Sequence, residues 1–325
     1  MLRTIAIETS CDDTSIGSIS YEEGGSFTVE KLLAYSQIAD HQKFGGVLPE
    51  VASRLHSEKI IAILQNIGRE NIAEADFISA TTHPGLPGSL VVGKSVATML
   101  AEYFHKPLIS VNHIHGHIFS ILLERNLTDL TFPMVILTAS GGHNDIYLVQ
   151  EDLTIEKKAY TLDDASGEAF DKVSKMLGGP YPGGPRISEK ASKGKQNSAY
   201  QFKRIFLPQD DKGNYPFSFS GMKSQVSFLL DKIKKEDKLL SEQDICDIAY
   251  EFQEATIETL GKRLLKVAKE YGAKTVAIAG GVSANNRLVE YLSQAVEEHN
   301  AKVEGEMQFL YPIKKVYSTD NGAMI

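Results

Sequence analysis

Met134-Val-Ile-Leu-Thr-Ala-Ser-Gly-Gly-His-Asn-Asp-Ile-Tyr-Leu-Val149 reads as an apolar strand, a small polar turn and an alternating strand. Thr4-Ile-Ala-Ile-Glu-Thr-Ser10 and Thr14-Ser-Ile-Gly-Ser-Ile-Ser20 make the same unit around the polar turn Ser10-Cys11-Asp12-Asp13. The unit thus recurs after about 130 residues, far beyond the period of a solenoid, and points to two homologous lobes. Outward from the first copy, Ala52–Arg69 has helical periodicity, Phe77–Thr82 reads as a strand and Gly88–Phe104 as a helix. Leu108–Asn112 is a short strand running into a histidine-rich helix. Outward from the second copy come a helix at Ser166–Leu177, a Gly/Pro-rich loop at Gly178–Pro185, and a polar segment at Arg186–Pro216, read as a loop or a small helical insert. A long amphipathic helix at Asp244–Tyr271, a strand at Thr275–Ala279 and a helix at Leu288–His299 follow, and a last helix only begins at Asp320–Ile325. Strands and helices alternating in two halves imply an α/β architecture with a duplicated core and a central cleft between two lobes. The expected lobes are residues 1–130, with 307–325 returning to the first, and residues 131–306.

Composition narrows the class. The 325 residues are 42% hydrophobic and 23% charged, as in ordinary globular proteins. A net charge of -8 argues against a protein that coats nucleic acid non-specifically, though it leaves room for a local basic patch. Two cysteines, Cys11 and Cys246, are too few for a disulfide framework, so a reducing cytoplasm is expected. A strand pattern begins by Thr4, leaving no room for a signal peptide, and no apolar run approaches the ~20 residues that span a bilayer.

His113-Ile-His-Gly-His117 carries the clearest chemistry. Residues four apart share a helix face, so His113 and His117 can offer two imidazole nitrogens to one metal ion. The Gly/Ser turns at Thr9–Ser15 and Ala139–Asn144 can present backbone N–H groups to phosphate oxygens. Gly280-Gly281, between a strand and a helix, lets backbone approach a nucleotide closely, and Asn285 at the helix start can hydrogen-bond a ribose or base. Either turn alone is most often an ordinary hairpin, and a Gly pair before a helix is common. Together they predict an enzyme acting on a phosphorylated or adenylated substrate.

The strand-turn-strand repeat with the later strand-GlyGly-helix resembles the actin, Hsp70 and sugar-kinase (ASKHA) superfamily. Within it, Ile7-Glu-Thr-Ser-Cys-Asp-Asp-Thr14, Tyr35-Ser-Gln37, Gly45-Gly-Val-Leu-Pro-Glu-Val-Ala-Ser-Arg54, His113–His117 and Ser140-Gly-Gly-His143 resemble one family. Asp163-Asp-Ala-Ser-Gly-Glu-Ala-Phe-Asp-Lys172, Tyr181–Pro185, Phe217-Ser-Phe-Ser-Gly-Met-Lys223, Gly280–Asn285 and Thr319–Met324 do so too, in order along essentially the whole chain. That family is TsaD, also called Gcp or YgjD, the threonylcarbamoyltransferase that makes N6-threonylcarbamoyladenosine at position 37 of tRNAs decoding codons that begin with A.

The resemblance implies particular roles. His113, His117 and Asp320 match the family's metal ligands, for one divalent ion, Fe2+ or Zn2+; two imidazoles and a carboxylate leave coordination positions open, as a catalytic metal needs. Thr138, Ala139, Ser140, Gly141 and Gly142 match its substrate-binding turn, Asp171 a ribose-contacting carboxylate, and Gly184 and Asn285 further nucleotide contacts. The implied donor is threonylcarbamoyl-AMP, made by a separate synthase, and AMP is released. Attack on the carbamoyl carbon by adenine N6, a poor nucleophile, calls for positioning, a Lewis acid and a proton acceptor, for which Asp12 is the candidate. Cys11 is expected to be a packed residue rather than a nucleophile. Implied partners are tRNA, a paralogous subunit of the same fold (TsaB) and a small P-loop ATPase (TsaE), with no membrane. The amphipathic Ala52–Arg69 helix either meets that subunit or packs on its own lobe.

This chain departs from the family pattern at Asp13, where glutamate is usual, and at His83, where a small residue is usual. Its tail after Met324 is shorter than in most members, so the last helix is stunted if the chain is complete. For tRNA, Arg186–Arg204 holds Arg186, Lys190, Lys193, Lys195, Lys203 and Arg204 against a lone acid, Glu189, and is the best local phosphate-binding patch, or else a solvated loop. A zinc peptidase is disfavoured by the lack of His-Glu-x-x-His. A kinase would not need the histidine pair, and a non-catalytic paralogue would not need the intact ligand set.

Overall fold

The computed structural model describes residues 1–303 and 306–325. It divides into two compact units, residues 1–130 with 312–325, and residues 131–311. In the first, β1 (Leu2–Glu8), β2 (Asp13–Tyr21) and β3 (Phe27–Ser36) form an antiparallel meander. Three helices follow, α1 (Ile38–Gln42), α2 (Pro49–Ile67) and α3 (Arg69–Glu74). Then come β4 (Phe77–His83), α4 (Pro87–Phe104), β5 (Leu108–Asn112) and α5 (His113–Phe119), with β4 parallel to both β1 and β5. The sheet order is β3-β2-β1-β4-β5.

The second unit repeats this plan. β6 (Met134–Ala139), β7 (Asn144–Val149) and β8 (Ile155–Thr161) form the meander. After α6 (Ser166–Met176), α7 (Gly183–Ala191), β9 (Tyr215–Phe217), α8 (Ser220–Lys235) and α9 (Glu242–Glu270), the chain re-enters the sheet as β10 (Thr275–Ala279). α10 (Asn286–Asn300) then leads to β11 (Gln308–Leu310). With the edge strand β9 set aside, the order β8-β7-β6-β10-β11 matches the first sheet strand for strand, including the switch from antiparallel to parallel pairing. The duplication expected from the two turn motifs is therefore a duplication of topology.

Physical pattern explains both sheets. β6 is apolar except for Thr138 and has every residue buried, as suits a central strand covered on both faces. β3, at the edge of its sheet, alternates exposed and half-buried residues instead. α9 starts from a capping box, Ser241 with Asp244, and eighteen of its residues are buried, so it is the core helix of its unit. Phe252, Leu260 and Leu264 pack there against Val135, Leu137 and Ile278 of the sheet.

Three expectations need correction. The return to the first unit starts at Pro312 rather than 307, because β11 pairs with β10 in the second sheet. The Gly/Pro-rich loop ends early: α7 begins at Gly183, where a Cβ would lie 2.6 Å from the Phe170 carbonyl oxygen, so glycine lets α7 close on α6. The beginnings of a last helix are a single 3-10 turn at Gly322–Met324.

Candidate active site

In the first unit, the carboxyl ends of β1, β4 and β5 deliver Glu8, Thr81 and the start of α5, the usual end for a site in an open α/β sheet. The Asn112 side chain caps α5, accepting from the Ile114 backbone N–H at 2.8 Å. One helical turn then places His113 and His117 with ring centroids 4.6 Å apart. Asp320, 203 residues further along, reaches them: its Oδ1 lies 3.1 Å from His117 Nε2 and 3.7 Å from His113 Nε2. One potential ligand atom from each residue falls within 4.8 Å of the others. The edge of a tetrahedron with bonds of 2.0–2.1 Å is about 3.4 Å, so both histidine–carboxylate separations suit a divalent ion. His117 Nδ1 is buried with no hydrogen-bond partner among the described residues, so its ring is committed to the Asp320 side alone.

Glu8 stands behind this cluster, fully buried, with Oε2 3.2 Å from His113 Nδ1. Burial pushes its carboxyl up, but the facing imidazole outweighs it and holds Glu8 below the usual carboxylate range. Burial likewise opposes charge on His113, and Asp320 and Glu8 together raise its pKa above the ordinary histidine value. On the neighbouring turn, burial and then Asp320 push Asp12 up, and burial pushes Asp13 up to about 7. The Cys11 thiol is pushed far up by burial and by Asp12, so it supplies no thiolate at neutral pH.

The first turn is therefore a poor phosphate cradle. It carries two carboxylates, and the Ser10 N–H already donates to Glu8 Oε1 at 2.5 Å. Its chemistry suits a cation. The turn is held by His56 of α2, which is fully buried. His56 Nε2 must carry the proton, since it donates to the Cys11 carbonyl at 2.9 Å, and Nδ1 accepts from the Thr14 hydroxyl at 2.7 Å. Sequence reasoning assigned no role to Glu8 or His56; the available signals were a glutamate inside an apolar strand and a histidine on the buried face of α2.

In the second unit, Thr138 and Ala139 are buried strand residues, while Ser140 is half-buried and Gly141 and Gly142 are exposed. The turn closes through Ser140 N–H to the His143 carbonyl at 2.8 Å. Asn144, fully buried, ties it to α6: its side-chain oxygen accepts from the Ser166 N–H and its amide donates to Ser166 Oγ at 2.9 Å. The first turn of α6 has no side-chain cap, and a Cβ on Gly167 would lie 2.6 Å from the Ser140 carbonyl oxygen. Exposed glycine amides beside a helix start are an arrangement that can bind an anion. Gly280, at φ +84, passes so close that a Cβ would meet the Ala139 carbonyl oxygen at 2.5 Å. Nothing lies within 4 Å of a Cβ on Gly184.

Asp171 Oδ1 accepts from the Gly183 N–H at 2.5 Å, joining α6 to α7. Asn285 is heavily engaged: it caps α10 and its amide donates to Gln253 at 3.0 Å and Ser188 at 3.1 Å.

The lysine-rich segment carries less free positive charge than its local sequence implies. Lys190 is 7% exposed and ion-paired with Glu242. Lys193 pairs with Glu189 at 2.8 Å, and Arg204 with Glu251 and with Glu258 at 2.9 Å. The Lys195 backbone N–H donates to Asp247. Acids of α9, distant in sequence, thus neutralise Lys190 and Arg204, while Lys195 and Lys203 stay exposed.

With this geometry in view, the chain matches the family described as TsaD: tRNA N6-adenosine threonylcarbamoyltransferase over residues 29–325. The chain belongs to the TsaD family. Two relatives of the same description show how far TsaD likeness extends. That of Thermosipho africanus is 42% identical over 99% of this chain and 91% of its own length. That of Syntrophomonas wolfei is 39% identical over 99% and 89%. Both alignments therefore take in the first hairpin, which precedes the family match. The solved structure of full-length HypF, 15% identical, aligns with a TM-score of 0.60 over 99% of this chain and 45% of HypF, and supports the actin-like α/β fold. Like its TsaD relatives, the chain is a transferase of the tRNA-modifying kind. Among the described residues no helix is long and apolar enough to cross a membrane.

Proposed function

We propose that this TsaD member transfers threonylcarbamoyl from threonylcarbamoyl-AMP to N6 of adenine 37, in tRNAs reading codons that begin with A, and releases AMP. We propose further that one divalent ion, Fe2+ or Zn2+, sits on His113, His117 and Asp320. The observation that carries this reading is the convergence of those three side chains from 203 residues apart. When bound, such an ion supplies Lewis-acid polarisation of an acyl or phosphoryl oxygen.

The chain's own groups account for the rest. Backbone N–H groups of Gly141 and Gly142, with those at the start of α6 beyond Ser166, hold the adenylate phosphate and favour its departure as AMP. The N6–carbon bond forms, the carbon–oxygen bond to phosphate breaks, and the N6 proton passes to Asp12. Its raised pKa brings that carboxylate closer to working pH, as a general base requires. Gly184, Asp171 and Asn285 complete the nucleoside contacts. A paralogous subunit (TsaB), a P-loop ATPase (TsaE) and a separate donor synthase supply dimerisation, turnover and donor.

The test is nucleoside mass spectrometry of tRNA incubated with donor and the full-length chain, with and without partners, before and after chelation. Modified adenosine at position 37 that disappears on chelation and returns with Fe2+ or Zn2+ supports the reading. Undiminished product from metal-stripped protein sinks the metal assignment, and sustained turnover by the chain alone sinks the partner requirement.

A further inference from the structure

We infer that Glu8 is the positioning residue that fixes the His113 ring for metal ligation, by holding Nδ1–H and leaving the Nε2 lone pair toward Asp320. The inference rests on the metal reading above. Glu8 is the last residue of β1 and is fully buried, where an unpartnered carboxylate is prohibitively unstable. Three donors from three elements converge on it. The Ser10 N–H donates to Oε1 at 2.5 Å, the Thr81 hydroxyl donates to Oε2, and His113 Nδ1 lies 3.2 Å from Oε2. With both oxygens accepting, Nδ1 carries the hydrogen, and the only lone pair left on the ring is at Nε2. That atom faces Asp320 Oδ1 at 3.7 Å.

The arrangement is a carboxylate–histidine–metal relay, in which an outer carboxylate sets the tautomer and orientation of a ligand imidazole. It is asymmetric. His117 has no such partner, its Nδ1 being buried and unbonded among the described residues. Ser10 Oγ is a competing neighbour of His113 Nδ1 at 3.1 Å, and a hydroxyl can either donate or accept there. The assignment to Glu8 therefore separates cleanly from an assignment to Ser10.

The experiment uses the full-length chain labelled with 15N-histidine, stripped with chelator, and compared with Glu8→Gln and Ser10→Ala. Ring nitrogen shifts, assigned with His113→Gln, report the tautomer; zinc competition against a chromophoric chelator reports affinity. Recorded at a pH above the raised pKa of His113, where the ring is neutral, the parent should show Nδ1–H. Glu8→Gln turns an amide N–H toward Nδ1, shifts the ring toward Nε2–H and should lower zinc affinity about 10–100-fold. Ser10→Ala should keep both the tautomer and, within about threefold, the affinity. An Nε2–H tautomer in the parent overturns the proposal, as does a folded Glu8→Gln that binds zinc like the parent, or inversion by Ser10→Ala alone. If Glu8→Gln does not fold, the parent tautomer decides. A parent that binds no zinc refutes the metal reading, while its His113 tautomer still judges the hold of Glu8.

Discussion

Gly322 approaches Gly17 so closely that a Cβ on Gly322 would lie 2.4 Å from the Gly17 amide nitrogen. The contact docks the end of the chain on β2, and the Gly322 N–H donates to Ser15 Oγ at 2.9 Å. Asp320, two residues earlier, is thereby carried to the histidines of α5. A loop held only by its termini would order this carboxylate poorly; a backbone-to-backbone seam orders it at low conformational cost.

Gly322→Ala should therefore do two things at once. The clash is with backbone, which cannot swing aside, so stability should fall by about 1–3 kcal/mol. Zinc affinity should fall as Asp320 is displaced. Denaturant unfolding and zinc titration check both, and a variant unchanged in either would show that the seam does not set Asp320.

Removing the two histidines should differ in stability although both weaken metal binding. His113→Ala takes a hydrogen-bond donor from the buried Glu8, which costs about 1–3 kcal/mol. His117→Ala loses packing and the Nε2 contact with Asp320, but that carboxylate, unlike Glu8, reaches water and so stays solvated. Urea unfolding of both variants in chelator should rank His113→Ala as the less stable.

Asp13 gives a pH dependence with a definite sign. Burial raises its folded-state pKa to about 7, so the native state binds a proton that the unfolded chain releases near pH 4. Stability in chelator should then fall as pH rises between those values. Asp13→Asn should flatten that slope and stabilise the protein more at pH 8 than at pH 4. In contrast, Asp12→Asn should lower the transfer rate about 10²–10⁴-fold, if Asp12 accepts the N6 proton. A pH-stability series and single-turnover rates separate the two.

The lysine segment should split by residue. Lys190→Glu sets a second carboxylate beside Glu242 at a nearly buried site, and should cost about 3–5 kcal/mol. Lys193→Glu with Lys195→Glu should leave the fold intact and change the salt slope of tRNA binding by less than about one, the loss expected for a single phosphate contact. A fall of two or more in a salt titration would restore the patch.

Local pattern was enough for much of the fold. The two strand-turn-strand units, the largely apolar β6 and the i, i+4 spacing of His113 and His117 are properties of contiguous residues, and period and turn chemistry report such properties. The family motifs added Asp320 by matching, although nothing near it in sequence says that it meets a histidine. Glu8 and His56 escaped because a buried polar side chain is recognised by its partners, and theirs are contributed by β4, α5 and the turn before β2.

The amino-acid sequence by itself determined the duplicated α/β plan, the histidine pair and the glycine turn, since each depends on residues a few positions apart. Only the tertiary structure decided the sign of charge around them. The first turn is rich in carboxylates because the fold sets Glu8 and Asp320 beside Asp12 and Asp13, and the lysine segment is partly neutralised because α9 pairs Glu242 with Lys190 and Glu251 and Glu258 with Arg204. Coulomb interaction falls with distance in space, not along the chain.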